Sequence, residues 1–344
     1  MPQYESTPRS AGVLACGYSL PDAIRHNSDP VFNHLALTRN AHGALAAGAF
    51  DGLEQRRRLT ADERLEELMA DACRATLAQS TVQPGMIDRL YGYGSVPQYW
   101  TPNVLYAVHR LLDLPPRTLV VPVNSDFSNF LTSLAIAAEA VDAGACRYAL
   151  VVCGSNWTRH MDYTQDHSFS IGDGAGAALV GPQAPWQVLD LEAETHSEHF
   201  HDLTMSMRTA TILGRAHLPV DPDTGLPIPT YHMTDTGKAM LSTTIRDTVP
   251  ELVGRLLARH RVEAGTISLI THQGSKTLMD HWNEIIKPRR QLSTLDTFGN
   301  MVIASYPVNL ARYFTEIDTE HIVLVSVGPG LHFAALLLQR DGTA

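Results

Sequence analysis

The sequence has little cysteine, little charge and no long apolar run. Of its 344 residues, 4 are cysteine and 18% are charged. So few cysteines, with no CxxC pair among them, exclude a disulfide scaffold, a zinc ribbon and a thioredoxin-type redox motif. We therefore expect four buried, unreactive thiols. They are Cys16, Cys73, Cys146 and Cys153.

Positive charge is also scarce. Lysine and arginine number 26 against 36 acidic residues, which gives a net charge of −10, and the longest basic run is Arg56–Arg58. Nucleic acid and anionic membranes are therefore not expected as partners. No apolar stretch approaches the ~18 residues of a membrane span, and the N-terminal residues make a poor signal peptide. A cytoplasmic protein is expected.

The chain shows the alternation of elements that is typical of an α/β protein. Short apolar runs bounded by glycine or proline alternate with longer helical patterns. We predict strands at 89–95, 118–123, 148–153, 177–180, 267–271, 322–327 and 333–338, and helices at 62–79, 128–143 and 236–260. Thr60 or Asp62 is the predicted N-cap of the first helix.

An internal repeat favours two similar halves. A shift of about 180 residues lays Gln83–Ser95 on Glu263–Ser275, with a helical pattern before each copy. We predict an N-terminal half at 1–181 and a C-terminal half at 182–344 in one packed body, since no low-complexity linker separates them. The segment Glu194–Pro229 lacks clean periodicity, and we predict that it crosses the surface, where ligand contacts often lie.

Two local motifs favour a structural interpretation over a functional one. Ile171–Ala177 reads IGDGAGA, which is spaced GxGxG and leads into a predicted strand. It is therefore a glycine-rich turn and not the GxGxxG motif of a dinucleotide site. The turn before residue 128 holds Ser125, Asp126 and Ser128. These side chains favour N-capping, and a nucleophile at the helix N-terminus is the alternative.

Two polar residues are candidates for chemistry. His272 directly follows a predicted buried strand, where ligands collect in α/β folds, although a structural histidine is an equal alternative. Asn300 lies between Gly299 and an apolar run. Its amide can donate to a developing oxyanion or shape a turn.

Together, these motifs resemble the β-ketoacyl-acyl-carrier-protein synthase III branch of the thiolase fold. The resemblance runs nearly end to end, and its most specific parts are GDGAGA at 172–177, HQ at 272–273 and the block from GN to SYP at 299–307. It implies an α/β fold of five layers, α-β-α-β-α, built from two duplicated halves. It also implies a transferase that acts on thioesters, needs no cofactor or metal, and forms a homodimer.

In that family a cysteine at the start of the central helix accepts an acyl group from a CoA or carrier-protein thioester. A histidine and an asparagine then stabilise the enolate that forms when a malonyl thioester loses CO₂. The resemblance matches His272 and Asn300 to these two residues. An ungapped match from Val123 to Gly144 places Phe127 where the cysteine should be. Phenylalanine has no lone pair, so no acyl-enzyme can form there, and its ring fills the acyl entrance.

Further positions around the predicted site also depart from the family. Asn129 replaces a glycine, Ser275 replaces an asparagine, and His167 stands where relatives often carry an arginine near the CoA entrance. The carrier, CoA or an acyl carrier protein, therefore stays open. The predicted substrate-channel residues are Arg159, His167, Gly172 and Gly174. The candidate contributors beside the altered nucleophile position are Ser125, Asp126 and Ser128.

Three functional hypotheses follow. The first is an acyltransferase or decarboxylase that acts on acyl and malonyl thioesters without an acyl-enzyme, in secondary-metabolite, polyketide or fatty-acid-type biosynthesis. His272 would act as a base or donor, and Asn300 would hold an oxyanion. The second is a non-catalytic subunit that pairs with a cysteine-bearing paralogue. The third is a metal- or ligand-binding module. Its candidate ligands are His196, His199, His201 and Asp202.

Overall fold

The computed structural model describes residues 11–40, 43–207, 210–212, 215–217, 220, 225 and 227–342. The first half of the chain contains β1 (Gly12–Ser19), β2 (Ile24–His26), β3 (Leu37–Arg39), β4 (Leu45–Ala47), β5 (Phe50–Asp51), β6 (Gln55–Arg57), α1 (Leu65–Leu77), β7 (Arg89–Ser95), α2 (Val104–Leu111), β8 (Leu119–Pro122), α3 (Asn129–Asp142), β9 (Ala149–Ser155) and β10 (Gly174–Gly181).

The second half begins with a long strand. It contains β11 (Trp186–Thr195), β12 (Leu203–Ser206), β13 (Ala210–Ile212), β14 (Arg215–His217), β15 (Thr230–Met233), α4 (Asp235–Met240), α5 (Thr244–His260), β16 (Ile267–Thr271), α6 (Lys276–Ile286), β17 (Arg290–Gln291), α7 (Leu295–Phe298), α8 (Ser305–Tyr313), β18 (His321–Gly328) and β19 (His332–Arg340). All seven predicted strands are present, with ends that differ by at most a few residues.

Ten strands form one sheet in the order β17-β16-β18-β19-β11-β1-β10-β9-β7-β8. In each half, five strands belong to this sheet. Read from the outer edge of the sheet to its centre, they are the third, second, fourth, fifth and first of the five in chain order. The halves join where β1 pairs antiparallel with β11, with Gly12 opposite Gln187 and Val13 opposite Trp186. The repeated order is the one that a duplicated α/β fold produces. The boundary between residues 181 and 182 remains a proposal.

Helices cover both outer faces and fill the space between the halves. The outer helix α1 packs on β1, β9 and β10, and α5 packs on β11, β18 and β19. Between the halves, α3 contacts β7 and β9 as well as β11 and β19, while α8 contacts β1, β10 and β16. The result is the sequence of layers α-β-α-β-α. Within the described residues, every helix is too short or too polar to cross a membrane.

The first predicted helix begins later than expected. Thr60 donates to Glu63 Oε2 through its N–H at 2.7 Å and its hydroxyl at 2.9 Å. This local turn precedes the helix, which starts at Leu65 after Arg64 without a side-chain cap. The predicted capping by Thr60 or Asp62 is therefore wrong.

The helix predicted at 236–260 is in fact two helices. The hydroxyls of Ser242 and Thr243 donate to the carbonyl oxygen of Ala239, at 3.0 and 3.1 Å. Such bonds compete with the backbone pattern of a helix. Thr243 leaves the helical region, with φ −130° and ψ −103°, so α4 and α5 are separate.

The glycine-rich run at 171–177 leads into β10, as predicted, and not into a helix. Its glycines permit close packing. A Cβ on Gly176 would lie 2.7 Å from the backbone nitrogen of Val308 in α8. The absence of a side chain therefore lets α8 lie directly on the strand.

Candidate active site

A small cavity of about 70 Å³ lies where the start of α3, the end of β16 and the loop before α8 meet. Phe127, His272 and Asn300 all line it. Most of the remaining wall is apolar and includes Phe50, Trp157, Leu203, Tyr231, Met233, Ile245, Leu278 and Trp282. A wider depression of about 590 Å³ beside Arg89 and Leu119 contains none of the predicted site residues.

Phe127 lies on a sharp turn between β8 and α3. The φ angles of Asp126 and Phe127 are +40° and +77°, a region that is costly for residues other than glycine. Asn129 holds the turn, because its Oδ1 accepts from the Phe127 N–H at 2.9 Å and its Nδ2 donates to the Val123 carbonyl at 3.1 Å. A Cβ on Gly328 would lie 1.7 Å from the Asp126 carbonyl oxygen, so the turn packs directly on β18.

The Phe127 ring occupies the space beside His272. The two ring centroids are 6.0 Å apart with 14° between their planes, and the Trp157 ring meets Phe127 edge-on at 5.2 Å. Stacking of this kind packs the ring firmly between its neighbours. A strand-to-helix turn that can present a nucleophile therefore presents a hydrocarbon ring instead.

The hydroxyls near Phe127 bind to other side chains. Ser125 donates to Thr132 Oγ1 at 3.0 Å, and the Ser128 and Ser326 hydroxyl oxygens are 2.7 Å apart. Ser128 stands at the N-cap of α3 but makes no side-chain capping bond, and Asp126 is exposed. The predicted N-capping by these residues is wrong. Neither serine hydroxyl is free to replace the missing thiol.

His272 directly follows β16 and is neutral at physiological pH, because burial lowers its pKa to about 4. Its Nδ1 lies 3.0 Å from the hydroxyl oxygen of Tyr306. Tyr306 is fully buried, and burial raises its pKa, so the hydroxyl keeps its proton. We assign the donor role in this contact to the hydroxyl, which places the ring proton of His272 on Nε2.

The backbone fixes the orientation of Asn300. Its main-chain N–H donates to the Ser170 carbonyl at 2.7 Å, and its carbonyl accepts from the Gly172 N–H at 2.9 Å. Its Oδ1 accepts from the Val302 N–H at 3.0 Å. Because Oδ1 is engaged in this way, Nδ2 is the atom that is available to the cavity.

Two donor groups converge beside Gly274. A Cβ on Gly274 would lie 3.5 Å from His272 Nε2 and 3.9 Å from Asn300 Nδ2. Among the described residues, neither nitrogen has a hydrogen-bond partner. Two unpaired N–H donors that both lie within 4 Å of one position beside Gly274 form an arrangement that can stabilise an oxyanion.

We expect the Tyr306→Phe variant to lose the single tautomer of His272, because Nδ1 then has no donor. Nitrogen-15 NMR of native protein should show His272 protonated on Nε2 and not on Nδ1. The variant should show both tautomers. Tyr313→Phe, which removes a hydroxyl that donates to the Ser293 carbonyl at 2.8 Å, is the matched control and should leave His272 unchanged. A proton on Nδ1 in native protein would contradict the assignment.

Of the four predicted channel residues, His167 lines the cavity and the other three lie elsewhere. Gly172 and Gly174 are packing positions, where a Cβ would meet neighbouring atoms at 2.3 and 2.5 Å. The Arg159 guanidinium donates to the Glu63 carbonyl at 2.7 Å, in the loop before α1. The role of Arg159, Gly172 and Gly174 in a substrate channel stays a prediction.

The thiols lie away from the cavity. Cys16, Cys73 and Cys153 are buried, and burial raises the pKa of Cys153 to about 12. Cys146 is partly exposed, so the prediction of four buried thiols is wrong for this residue. None of the four lines the cavity described above, and none substitutes for the cysteine that Phe127 replaces.

The histidines of the predicted metal site bind to different carboxylates. His196 Nε2 lies 2.7 Å from Glu194 Oε1, and His199 Nδ1 lies 2.9 Å from Asp202 Oδ2. The His201 ring packs on its neighbour Phe200. In the part of the chain that the structure describes, no group of three or more histidine, cysteine or acidic residues is arranged to hold a metal ion.

Sequence reasoning missed two residues of the site. Tyr306 lies inside the SYP block, but its bond to His272 depends on how α8 packs against β16, which no local pattern reveals. Trp157 follows β9 in a short 3-10 turn and meets Phe127 only in the folded chain. Neither spacing nor residue type carries a signal for these contacts.

Two family models match the chain. Residues 123–197 match 3-oxoacyl-[acyl-carrier-protein] synthase III, and residues 257–340 match the C-terminal part of that family. The first match contains the turn at Phe127, and the second contains His272 and Asn300. The chain is a member of the ketoacyl synthase III-like family. Its fold, a thiolase-like α/β body of two duplicated halves, is the one that the sequence predicts.

Relatives of this ketoacyl synthase III-like chain match along most of its length. The β-ketoacyl-[acyl-carrier-protein] synthase III of Rhodospirillum centenum is 25% identical, over 96% of this chain and 99% of the relative. The corresponding enzyme of Gloeobacter violaceus is also 25% identical, over 83% of this chain and 87% of the relative.

Solved structures show the same fold. The 3-oxoacyl-(acyl carrier protein) synthase III of Pseudomonas aeruginosa has a TM-score of 0.80 at 22% identity, and covers 97% of this chain and 99% of its own. The priming β-ketosynthase of the R1128 polyketide pathway has a TM-score of 0.80 at 23% identity, and covers 99% of both chains. These likenesses show the fold, and the curated relatives named above are ketoacyl-[acyl-carrier-protein] synthase III enzymes, which are transferases.

Proposed function

We propose that this chain polarises acyl and malonyl thioesters between His272 and Asn300, and that it transfers or decarboxylates them without an acyl-enzyme. The observation that carries the proposal is the pair of unpaired N–H groups beside Gly274. A thioester carbonyl oxygen placed there accepts from both donors. Both interactions strengthen as negative charge develops on the oxygen, which is the condition for catalysis.

The donor pair suits loss of CO₂ from a malonyl thioester. The bond between the carboxylate and the α-carbon breaks, CO₂ leaves, and the electron pair moves into the thioester carbonyl to give an enolate. His272 Nε2–H and Asn300 Nδ2–H stabilise its oxygen. The enolate then takes a proton, or attacks the carbonyl of a second acyl thioester and releases its thiol. His272 serves as a neutral donor throughout, because its pKa is about 4.

The absence of an acyl-enzyme rests on Phe127 and its neighbours. The ring has no nucleophilic atom, and the hydroxyls of Ser125 and Ser128 bind to other side chains. A step that uses the donor pair without a covalent intermediate therefore fits this site best. Transfer between two bound thioesters, or from a thioester to an alcohol or amine acceptor, meets this requirement.

The carrier, pathway, compartment and assembly belong to the same proposal. The relatives' names point to thioesters of an acyl carrier protein, and CoA thioesters are the alternative carrier. We also propose a role in polyketide or other secondary metabolism, which the change at Phe127 and the likeness to a priming ketosynthase support. We place the chain in the cytoplasm as a homodimer.

A second candidate is a non-catalytic subunit paired with a cysteine-bearing paralogue. The observation that favours it is the Phe127 ring, which leaves a cavity of only about 70 Å³ beside His272. Size-exclusion chromatography with such a paralogue distinguishes the two. A stable heterodimer, together with no CO₂ release by this chain alone, supports the second candidate.

Gly274→Ala tests the position of the oxyanion without disturbing the fold. The new methyl group would meet His272 and Asn300 at ordinary contact distances of 3.5 and 3.9 Å, so we expect a native melting temperature. The methyl group would also occupy the point where the thioester oxygen binds. We therefore expect CO₂ release from malonyl-N-acetylcysteamine to fall roughly 100-fold, as for loss of an oxyanion donor.

The matched control is Gly254→Ala in α5, where a Cβ meets nothing within 4 Å. This variant should keep full activity. Native rates in Gly274→Ala would mean that the oxygen binds elsewhere, and would remove the main support for the proposed function.

A further inference from the structure

His167 is a polar residue buried in the apolar wall of the cavity. It lies in a short 3-10 segment, Asp166–Ser170, and is 3% exposed. Among the described residues, neither of its ring nitrogens has a hydrogen-bond partner. Burial lowers the pKa of His167, and the Tyr231 backbone is near enough to raise it slightly, but this backbone lies outside hydrogen-bond geometry. Since buried polar groups in folded proteins are almost always paired, the missing partner points to a ligand.

The neighbouring rings hold the imidazole of His167 in place but form no hydrogen bond with it. The Tyr231 ring meets it edge-on at 5.1 Å between centroids, and the Phe50 ring meets it at 6.3 Å. Both contacts fix the ring plane, and neither supplies a hydrogen bond. His167 is thus positioned to bind a group that enters from the cavity.

A row of aromatic rings separates His167 from the donor pair. Phe127 contacts Trp157 at 5.2 Å, Trp157 contacts Tyr231 at 5.2 Å, and Tyr231 contacts His167 at 5.1 Å. All four side chains line the same cavity. A substrate whose carbonyl lies between His272 and Asn300 therefore shares this cavity with His167, which would contact a part of the molecule away from the carbonyl.

The protonation state of His167 limits what it can bind. Burial lowers its pKa to about 4, the charges of Lys238 and His232 lower it further, and Asp162 raises it. The imidazole is neutral at physiological pH. It therefore offers one N–H donor and one acceptor nitrogen.

These properties select a hydroxyl group. His167 is neutral and, among the described residues, no lysine or arginine lines the cavity, so a carboxylate that stays bound at His167 would have no counter-charge. A ketone accepts but cannot donate. We propose that His167 binds a hydroxyl group on the acyl chain of the substrate thioester. This inference rests on the proposed function, because it assumes that a thioester occupies the cavity.

Calorimetric titration of the native protein tests the inference. The ligands are butanoyl-N-acetylcysteamine and its three derivatives with one hydroxyl, on the second, third or fourth carbon. The acyl chain is short because the cavity is small. We expect one hydroxylated thioester to bind about tenfold more tightly than the parent, which is the gain of one well-placed hydrogen bond. His167→Phe should abolish this preference, and His167→Gln, which keeps a donor and an acceptor, should retain part of it.

The controls separate this inference from the proposed function. His34→Phe makes the same change at an exposed histidine and should keep the preference. Butanoyl thioesters carry no carboxylate to lose, so the preference concerns binding and not turnover. If binding depends on the hydroxyl group but no CO₂ is released from malonyl-N-acetylcysteamine, the proposed role of His167 is supported and the proposed function fails. Three results would overturn the inference. They are a parent thioester that binds as tightly as all three derivatives, a preference that survives in His167→Phe, and the absence of binding by any thioester.

Discussion

His272→Ala and Asn300→Ala are each expected to lower CO₂ release from malonyl-N-acetylcysteamine by roughly 100- to 1,000-fold. Each substitution removes one of the two N–H donors that converge beside Gly274. The enolate oxygen then loses a hydrogen bond that is stronger in the transition state than in the ground state. The rate constant should fall more than the affinity for the thioester, because the donors act mainly on the developing charge.

The double variant refines this expectation. If the two donors act on one oxygen as a unit, His272→Ala with Asn300→Ala should be little worse than either single variant. Asn33→Ala and His34→Ala, which change the same residue types at exposed positions, should retain native rates. Additive losses, or a loss in only one single variant, would argue against a shared oxyanion site.

Phe127→Cys is expected to acquire an acyl adduct that the native protein lacks. The turn holds residue 127 at the N-terminus of α3 with φ +77°, and its ring now lies 6.0 Å from that of His272. A thiol at this place has a helix N-terminus to stabilise its thiolate and a strand-to-helix turn to present it. After incubation with butanoyl-N-acetylcysteamine, peptide mass spectrometry should find the butanoyl group on the new cysteine.

Phe127→Ala is the matched control for this experiment. It removes the ring without adding a nucleophile, so it should carry no adduct. Both variants lose the packing of Phe127 against Trp157, and we expect a loss of about 2–4 kcal/mol of stability. A Phe127→Cys variant whose new thiol stays unmodified would mean that the turn does not present its side chain to thioesters. An adduct on a peptide with Ser125 or Ser128 in the native protein would mean that a serine replaces the cysteine.

The fold can be predicted from the sequence where a single strand or helix has a clear local pattern of apolar and turn residues. Strands such as Arg89–Ser95 and Ile267–Thr271 are short apolar runs between turn residues, and their predicted bounds agree with the structure. Elements with mixed patterns were harder to predict. β11 alternates charged and apolar residues, so its sequence does not identify it as a strand of the main sheet. In the structure, Asp190 and Glu192 both pair with Arg259 of α5.

The site could be predicted in part for a similar reason. His272 and Asn300 lie in motifs with a distinctive local sequence, so their positions were readable. The bond from Tyr306 to His272 and the burial of His167 depend on packing between distant segments, which local sequence does not encode. The N-capping expected of Ser128 failed because Ser326, far along the chain, binds its hydroxyl instead.

The central claim is that the donor pair acts on thioesters without a covalent intermediate. The most direct test incubates the native protein alone with malonyl-N-acetylcysteamine, which carries a thioester without CoA or a carrier protein. CO₂ release and the intact mass of the protein are followed in the same sample during turnover. We predict steady release of CO₂ while the protein mass stays unchanged. No release above the rate of the Gly274→Ala variant, or a protein mass increased by an acyl group, would contradict the account.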